Sequence, residues 1–152
     1  MADGKAHQSK STFRRECGVG INIKAKPDRI WDLLTSAADF PRWNSTVESV
    51  DGQIALGNMI QLKVKVAPGR VFKLKVSGWT PGQEMVWRDG AAPMFQGVRT
   101  YTLSPKGDGS TDFSMVEVLS GLMMPMIGGS LPDFGPSFET YAADLKREAE
   151  SK

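Results

Sequence analysis

Near the C-terminus Phe138, Tyr141, Ala142, Leu145 and Ala149 fall at i, i+3, i+4, i+7 and i+11, the apolar stripe of one amphipathic helix. Upstream the pattern changes. "NMIQLKVKV" sets Ile60, Leu62, Val64 and Val66 against Gln61, Lys63 and Lys65, and "VFKLKVSGW" sets Phe72, Leu74 and Val76 against Lys73 and Lys75. Period two over such runs describes strands with one buried face. "EMVWRDG", "MFQGVRTYTLS" and "TDFSMVEVLSG" continue the series through short loops such as "APGR", "TPGQ" and "PKGDGS". An antiparallel sheet with one apolar face needs a cover, and the C-terminal stripe is the only long one available. The chain is thereby committed to a sheet that closes on a single helix.

The N-terminal third supplies the remaining pieces. "FRRECGVGINIKA" alternates Phe13, Arg15, Cys17, Val19, Ile21 and Ile23 and reads as a first strand. "KPDRIWDLLTSAADF" then shifts to a helical stripe of Ile30, Trp31, Leu33 and Leu34, with Pro27 suited to a first turn. "SAADFPRWN" suggests a second short helix stopped near Pro41. The expected fold is α+β: a curved antiparallel seven-stranded sheet, two short helices after strand 1 and one long C-terminal helix. Residues 1–12 read as a disordered tail and 13–150 as a single domain. Ser130 and Asp133 have the spacing of a capping box, but Pro136 inside a continuing helix would cost about 3 kcal/mol, so the main helix is placed from 136.

Several kinds of chemistry are excluded early. His7 is the only histidine and lies in the polar tail, so no Ser-His-Asp or Cys-His arrangement can be assembled around it. Cys17 is the only cysteine, which rules out an internal disulfide and a cysteine-based zinc site. No histidine-rich metal motif or glycine-rich phosphate loop occurs, and neither a metal nor a cofactor is expected. Net charge is +2 and the lysines of the 63–75 hairpin have no interleaved aromatics, so nucleic acid is not an expected partner. Those lysines read as a solvated sheet face. The N-terminus lacks the apolar core of a signal peptide, and no run reaches the roughly 18 apolar residues of a span, so the expectation is a cytoplasmic protein without stable membrane insertion.

Two features point toward a site. In "FQGVRTYTLS" the residues Phe95, Gly97, Arg99, Tyr101 and Leu103 share parity, as do Phe113, Met115, Glu117 and Leu119 in "TDFSMVEVLSG". If the hairpin pairs Tyr101 with Phe113 or Met115, Arg99 lies opposite or diagonal to Glu117 on an otherwise apolar face. A charge there needs a partner, either Glu117 itself or a ligand's carboxylate or phosphate. The second feature is "GLMMPMIGG", residues 121–129, which leads into the long helix. Methionine adapts to irregular surfaces, so this stretch reads as a lid or pocket lining, with a plugged end of the core as the alternative.

"IKAKPDRIWDLLTSAADFPRWN" resembles the opening of START-like (SRPBCC) domains. "VDGQIALGNMIQLKV", "MVW", "GVRTYTLSP", "GSTDFSMVEVLSG" and "FETYAADLKREAE" resemble the family's later elements in order. The likeness extends over about residues 13–150 and is greatest to the polyketide cyclase/dehydrase and lipid-transport branch. It implies the helix-grip fold, with an apolar cavity between the sheet and the last helix. On that basis Phe72, Leu74, Trp87, Arg99, Tyr101, Met115, Glu117, Met123 and Tyr141 are the expected lining, with Arg99 orienting a polar head. The implied function is binding of an apolar or amphipathic small molecule such as a lipid, isoprenoid, quinone or polyketide. One alternative is a cyclase or dehydratase with Glu117 or Tyr101 as acid/base and Arg99 stabilising an enolate. Another is a protein-binding module of the chaperone-regulator kind. Oligomeric state, a homodimer included, stays open.

Overall fold

The computed structural model describes residues 2–151. Eight strands form one antiparallel sheet: β1 (Asp3–Lys10), β2 (Arg14–Ile23), β3 (Val47–Asp51), β4 (Met59–Val64), β5 (Phe72–Thr80), β6 (Glu84–Ala91), β7 (Phe95–Pro105) and β8 (Thr111–Ser120). Their order across the sheet is β1-β2-β8-β7-β6-β5-β4-β3. Four α-helices complete the chain: α1 (Pro27–Thr35), α2 (Phe40–Trp43), α3 (Met124–Ile127) and α4 (Gly135–Glu150). This is a helix-grip architecture. The apolar face of α4 buries the five residues of its stripe, Phe138, Tyr141, Ala142, Leu145 and Ala149. Among the described residues, no helix is long and apolar enough to cross a membrane.

The sheet has eight strands rather than seven, because part of the segment expected to be a disordered tail forms β1. "DGKAHQSK" has no apolar alternation, and its stability comes from main-chain pairing instead. It runs antiparallel to β2, from Lys10 opposite Arg15 to Asp3 opposite Ile21, with an irregularity between Asp3 and Ala6. α4 and the residues leading into it then fasten its outer side: the Ala6 N–H donates to Glu139 Oε2 at 2.8 Å, and Gln8 Nε2 donates to Asp133 Oδ1 at 3.0 Å. Such contacts occupy part of an edge that would otherwise present free donors.

In the N-terminal third two prolines begin helical turns, as Pro125 and Pro136 do in α3 and α4. Pro27 opens α1, and Pro41 lies in the first turn of α2 instead of ending a helix. The reason is the same in both cases, since the first turn has no use for the N–H that proline lacks. Trp31 packs edge-on against Trp79 at 5.1 Å, and Trp43 packs on Phe40 and Tyr141, anchoring both short helices. Asp144, 5% exposed, accepts from the backbone N–H and hydroxyl of Ser45, both at 2.7 Å, and from Arg147 Nη1 at 2.9 Å. This carboxylate fixes the α2–β3 connection to the middle of α4.

Strand register gathers four connections at one end of the sheet: residues 11–13, 65–71, 92–94 and the path from β8 to α4. Gly121 terminates β8 there with φ +131°, and a Cβ on it would collide with the Met94 carbonyl oxygen. Only glycine fits that approach.

Candidate functional site

Cross-strand pairing aligns Cys17, Glu117, Arg99, Trp87 and Val76 as consecutive partners across β2, β8, β7, β6 and β5. The row lies beneath α4. Its centre is charged: Arg99 Nε donates to Glu117 Oε1 at 2.8 Å, with side chains only 12% and 16% exposed. Arg99 Nη1 also reaches the Tyr101 hydroxyl at 3.5 Å, and the guanidinium carbon lies 5.1 Å from the Phe138 ring centre. Burial alone would depress the guanidinium, but Glu117 outweighs it and keeps Arg99 firmly charged.

Between this row and α4 the packing is incomplete. Leu62, Val64, Phe72 and Leu74 on one side, with Phe95, Leu119, Phe134, Phe138 and Tyr141 on the other, bound an apolar cavity. The cavity proper is small, about 70 Å³; the non-atom space around it comes to about 790 Å³ only when open solvent at the mouth is included. The mouth opens at the end of the sheet where the four connections gather. A substantial ligand therefore needs this end to loosen.

Polar groups on the wall are few and specific. Trp87 Nε1 and the Tyr141 hydroxyl are buried without a hydrogen-bond partner among the described residues. Burial first, then the neighbouring Tyr101 hydroxyl, holds the Tyr141 phenol well above its ordinary value. Asp89 also lines the cavity. It faces Gly97 across the β6–β7 pair, and a Cβ on Gly97 would meet Leu119 Cδ2 at 3.2 Å and Asp89 Cβ at 3.7 Å. Burial pushes the Asp89 carboxyl upward, against a hydrogen bond from the Gly90 backbone that lowers it, and the charge of Glu117 adds a smaller push. Among the described residues Asp89 forms no salt bridge. Next to Glu117 on the β2 side, burial followed by the charges of Glu117 and Asp133 raises the Cys17 thiol to about 11, so it is protonated at neutral pH.

Of the nine expected lining residues, Phe72, Leu74, Trp87, Arg99, Glu117 and Tyr141 meet in this cavity. The other three do not line it. Tyr101 and Met115 face inward but oppose each other one step deeper, where Trp87, Phe113 and Tyr141 close around the Tyr101 ring. Parity gives the face of a strand, not the depth at which the helix meets it. Met123 sits on the 92–94 loop, its N–H donating to the Met94 carbonyl at 2.9 Å. The lining that follows it in the chain comes from Leu131 and Phe134 instead. Asp89, outside the expected set, continues the Met85–Trp87 parity by one further step, and that parity is its signal in the sequence. Phe138, in contrast, was already on the helical stripe.

The chemistry available is that of a neutral apolar body held beside a compensated charge pair. An anionic head would have to compete with Glu117 for Arg99. A carbonyl or hydroxyl oxygen would not, since Arg99 has five N–H donors and spends only two of them on the partners described.

The family described as "polyketide cyclase / dehydrase and lipid transport" matches residues 14–150. No curated protein matches in sequence. A START superfamily protein from Mycobacterium smegmatis is similar in structure, with TM-score 0.64 at 17% identity, covering 89% of this chain and 97% of that one. A conserved protein of unknown function from Enterococcus faecalis gives 0.68 at 14% identity, covering 99% and 80%. A hypothetical protein from Helicobacter pylori gives 0.71 at 9% identity, covering 88% and 86%. At these identities the likeness is one of fold.

Proposed function

The chain belongs to the polyketide cyclase/dehydrase and lipid-transport family, and on that premise we propose that it binds an uncharged amphipathic small molecule between its sheet and α4. The observation that carries this reading is the cavity itself, apolar along most of its wall and bearing one compensated Arg99–Glu117 pair. The apolar body of the ligand displaces the few waters the cavity admits. A carbonyl or hydroxyl oxygen takes the spare donors of Arg99, and the Tyr141 hydroxyl is within the same wall to assist. Lipids, isoprenoids, quinones and polyketide-like aromatics all include members of this description.

Native mass spectrometry of gently purified protein, with extraction of whatever is bound, tests the reading. A stoichiometric apolar adduct is expected, and filling the cavity with Leu74→Trp should abolish it while the fold is retained. An adduct that persists unchanged in Leu74→Trp would place the ligand elsewhere and overturn the proposal.

One observation favours a second reading, as an enzyme on the same ligand. Asp89 is a half-buried carboxyl without an ion partner among the described residues, held toward its protonated form at the cavity wall. Such a group can give or take a proton, whereas Glu117 is committed to Arg99 and Tyr101 lies behind the wall. A cyclase or dehydratase would then use Asp89 as acid/base and Arg99 to stabilise a developing enolate oxygen.

A further inference from the structure

Large apolar side chains left exposed are not scattered at random over this molecule. Phe13 (49%), Val71 (45%), Met94 (50%), Leu122 (56%) and Met126 (79%) all belong to the connections gathered at the mouth of the cavity. Among the described residues only Leu56 and Met59 are comparably exposed elsewhere. Three of the mouth residues are held together by the backbone. The Gly121 N–H donates to the Phe13 carbonyl at 3.0 Å, the Leu122 N–H to Pro93 at 2.9 Å, and the Met123 N–H to Met94 at 2.9 Å. Phe13, Met94 and Leu122 are thereby stitched into one rim from separate loops, with Val71 at the end of the β4–β5 connection and Met126 on α3.

Around the rim stand exposed cations: Lys10 on the β1–β2 side, Lys65 and Arg70 on the β4–β5 side. Arg14 and Glu16 compensate each other at 2.6 Å, and Asp133, hydrogen-bonded by Gln8 and the Gly135 N–H, keeps its negative charge on the β1–β2 side. The end that opens the cavity is thus apolar at its tips and basic at its margin.

We propose that this end is a docking face for the surface of an anionic lipid bilayer. Loop tips bearing Met, Leu, Val and Phe enter the boundary between headgroups and acyl chains, and the flanking cations meet acidic headgroups. The geometry sets the cavity mouth against the membrane, so a ligand passes between bilayer and cavity without crossing water. A protein partner is less well matched, because the groove between the 11–13 loop and α3 is lined in good part by polar and basic groups, Lys10, Ser11, Thr12 and Arg15 among them, rather than forming an apolar seat for a helix or strand. The inference rests on the cavity reading for its purpose but not for its binding, which is measurable on its own.

Flotation with phosphatidylcholine vesicles, with and without about a third phosphatidylglycerol, is the test. The protein should float with the anionic vesicles, less with the neutral ones, and less again at high salt. Leu122→Ser with Met126→Ser, both at exposed positions, should weaken partitioning by about tenfold or more while leaving the fold intact by circular dichroism. Lys10→Glu with Arg70→Glu should remove the preference for anionic vesicles. Failure of the wild type to float with either vesicle, or undiminished flotation of the Leu122/Met126 variant, overturns the proposal, as does self-association through these residues without vesicle binding. A protein that carries an apolar adduct yet ignores vesicles defeats the docking face alone. One that floats but shows no cavity ligand defeats the cavity reading alone.

Discussion

Asp89 stands in a wall where water is scarce and Glu117 is near, so its proton is held more tightly in the folded chain than in the unfolded one. The sign follows from linkage. A carboxyl raised above its ordinary value of 3.8 stabilises the fold while protonated; that contribution is present below the unfolded value and is lost as pH climbs through the raised folded value. Asp89→Asn keeps the size and removes the loss. Its urea midpoint should exceed that of the wild type at neutral pH, and the two curves should converge toward acid. A difference that stays constant with pH would mean that Asp89 titrates normally. At this scale the sequence was legible where parity and chemistry coincide. Arg99 and Glu117 announced a partnership because two charges shared otherwise apolar rows, and the register puts them directly opposite. It was not legible where depth decides: Tyr101 and Met115 have the same parity as Arg99 and Glu117, yet the helix seals them from the cavity.

The elements divide in the same way. α4 could be read from its stripe because a buried helix face has to repeat, and α1 from its four apolar residues behind Pro27. β1 could not, since an edge strand held by main-chain bonds imposes no pattern on its side chains. Its contribution can be measured. Deleting residues 2–11 removes the β1–β2 ladder and the Ala6–Glu139 hydrogen bond, and exposes the edge of β2. The shortened chain should keep the helix-grip fold, lose about 2 kcal/mol in urea unfolding, and self-associate in sedimentation at high concentration. Unchanged stability would show that β1 contributes only a cover. The long path from β8 to α4 was legible in outline. Its composition suggested a lid, but the cavity is lined by Leu131 and Phe134 from its far end, while Met126 points to solvent.

Taken whole, the molecule has one firm end and one loose one. At the far end α1 and α4 are clasped, with Arg29 Nη2 donating to the Glu148 carbonyl at 3.0 Å and Lys146 Nζ to that of Asn22 at 3.0 Å. At the mouth the two longest connections, 65–71 and the path from β8 to α4, border the cavity, and a cavity with so little room for water must open there to fill. Hydrogen exchange should therefore be fastest over residues 65–71 and 121–134 in the empty protein, and should slow in those segments when a ligand occupies the cavity. Slowing confined to the α1–α4 end would place the opening on the wrong side.

Trp87 has a consequence beyond packing. It is the one tryptophan of four that lines the cavity, its ring 5.0 Å from that of Tyr101 and its indole N–H unpartnered among the described residues. A chromophore in that position is sensitive to whatever lies against it, because both its emission colour and its quenching depend on neighbouring dipoles. With Trp31, Trp43 and Trp79 replaced by phenylalanine, the remaining fluorescence would become a label-free gauge of occupancy, supplied by the chain itself.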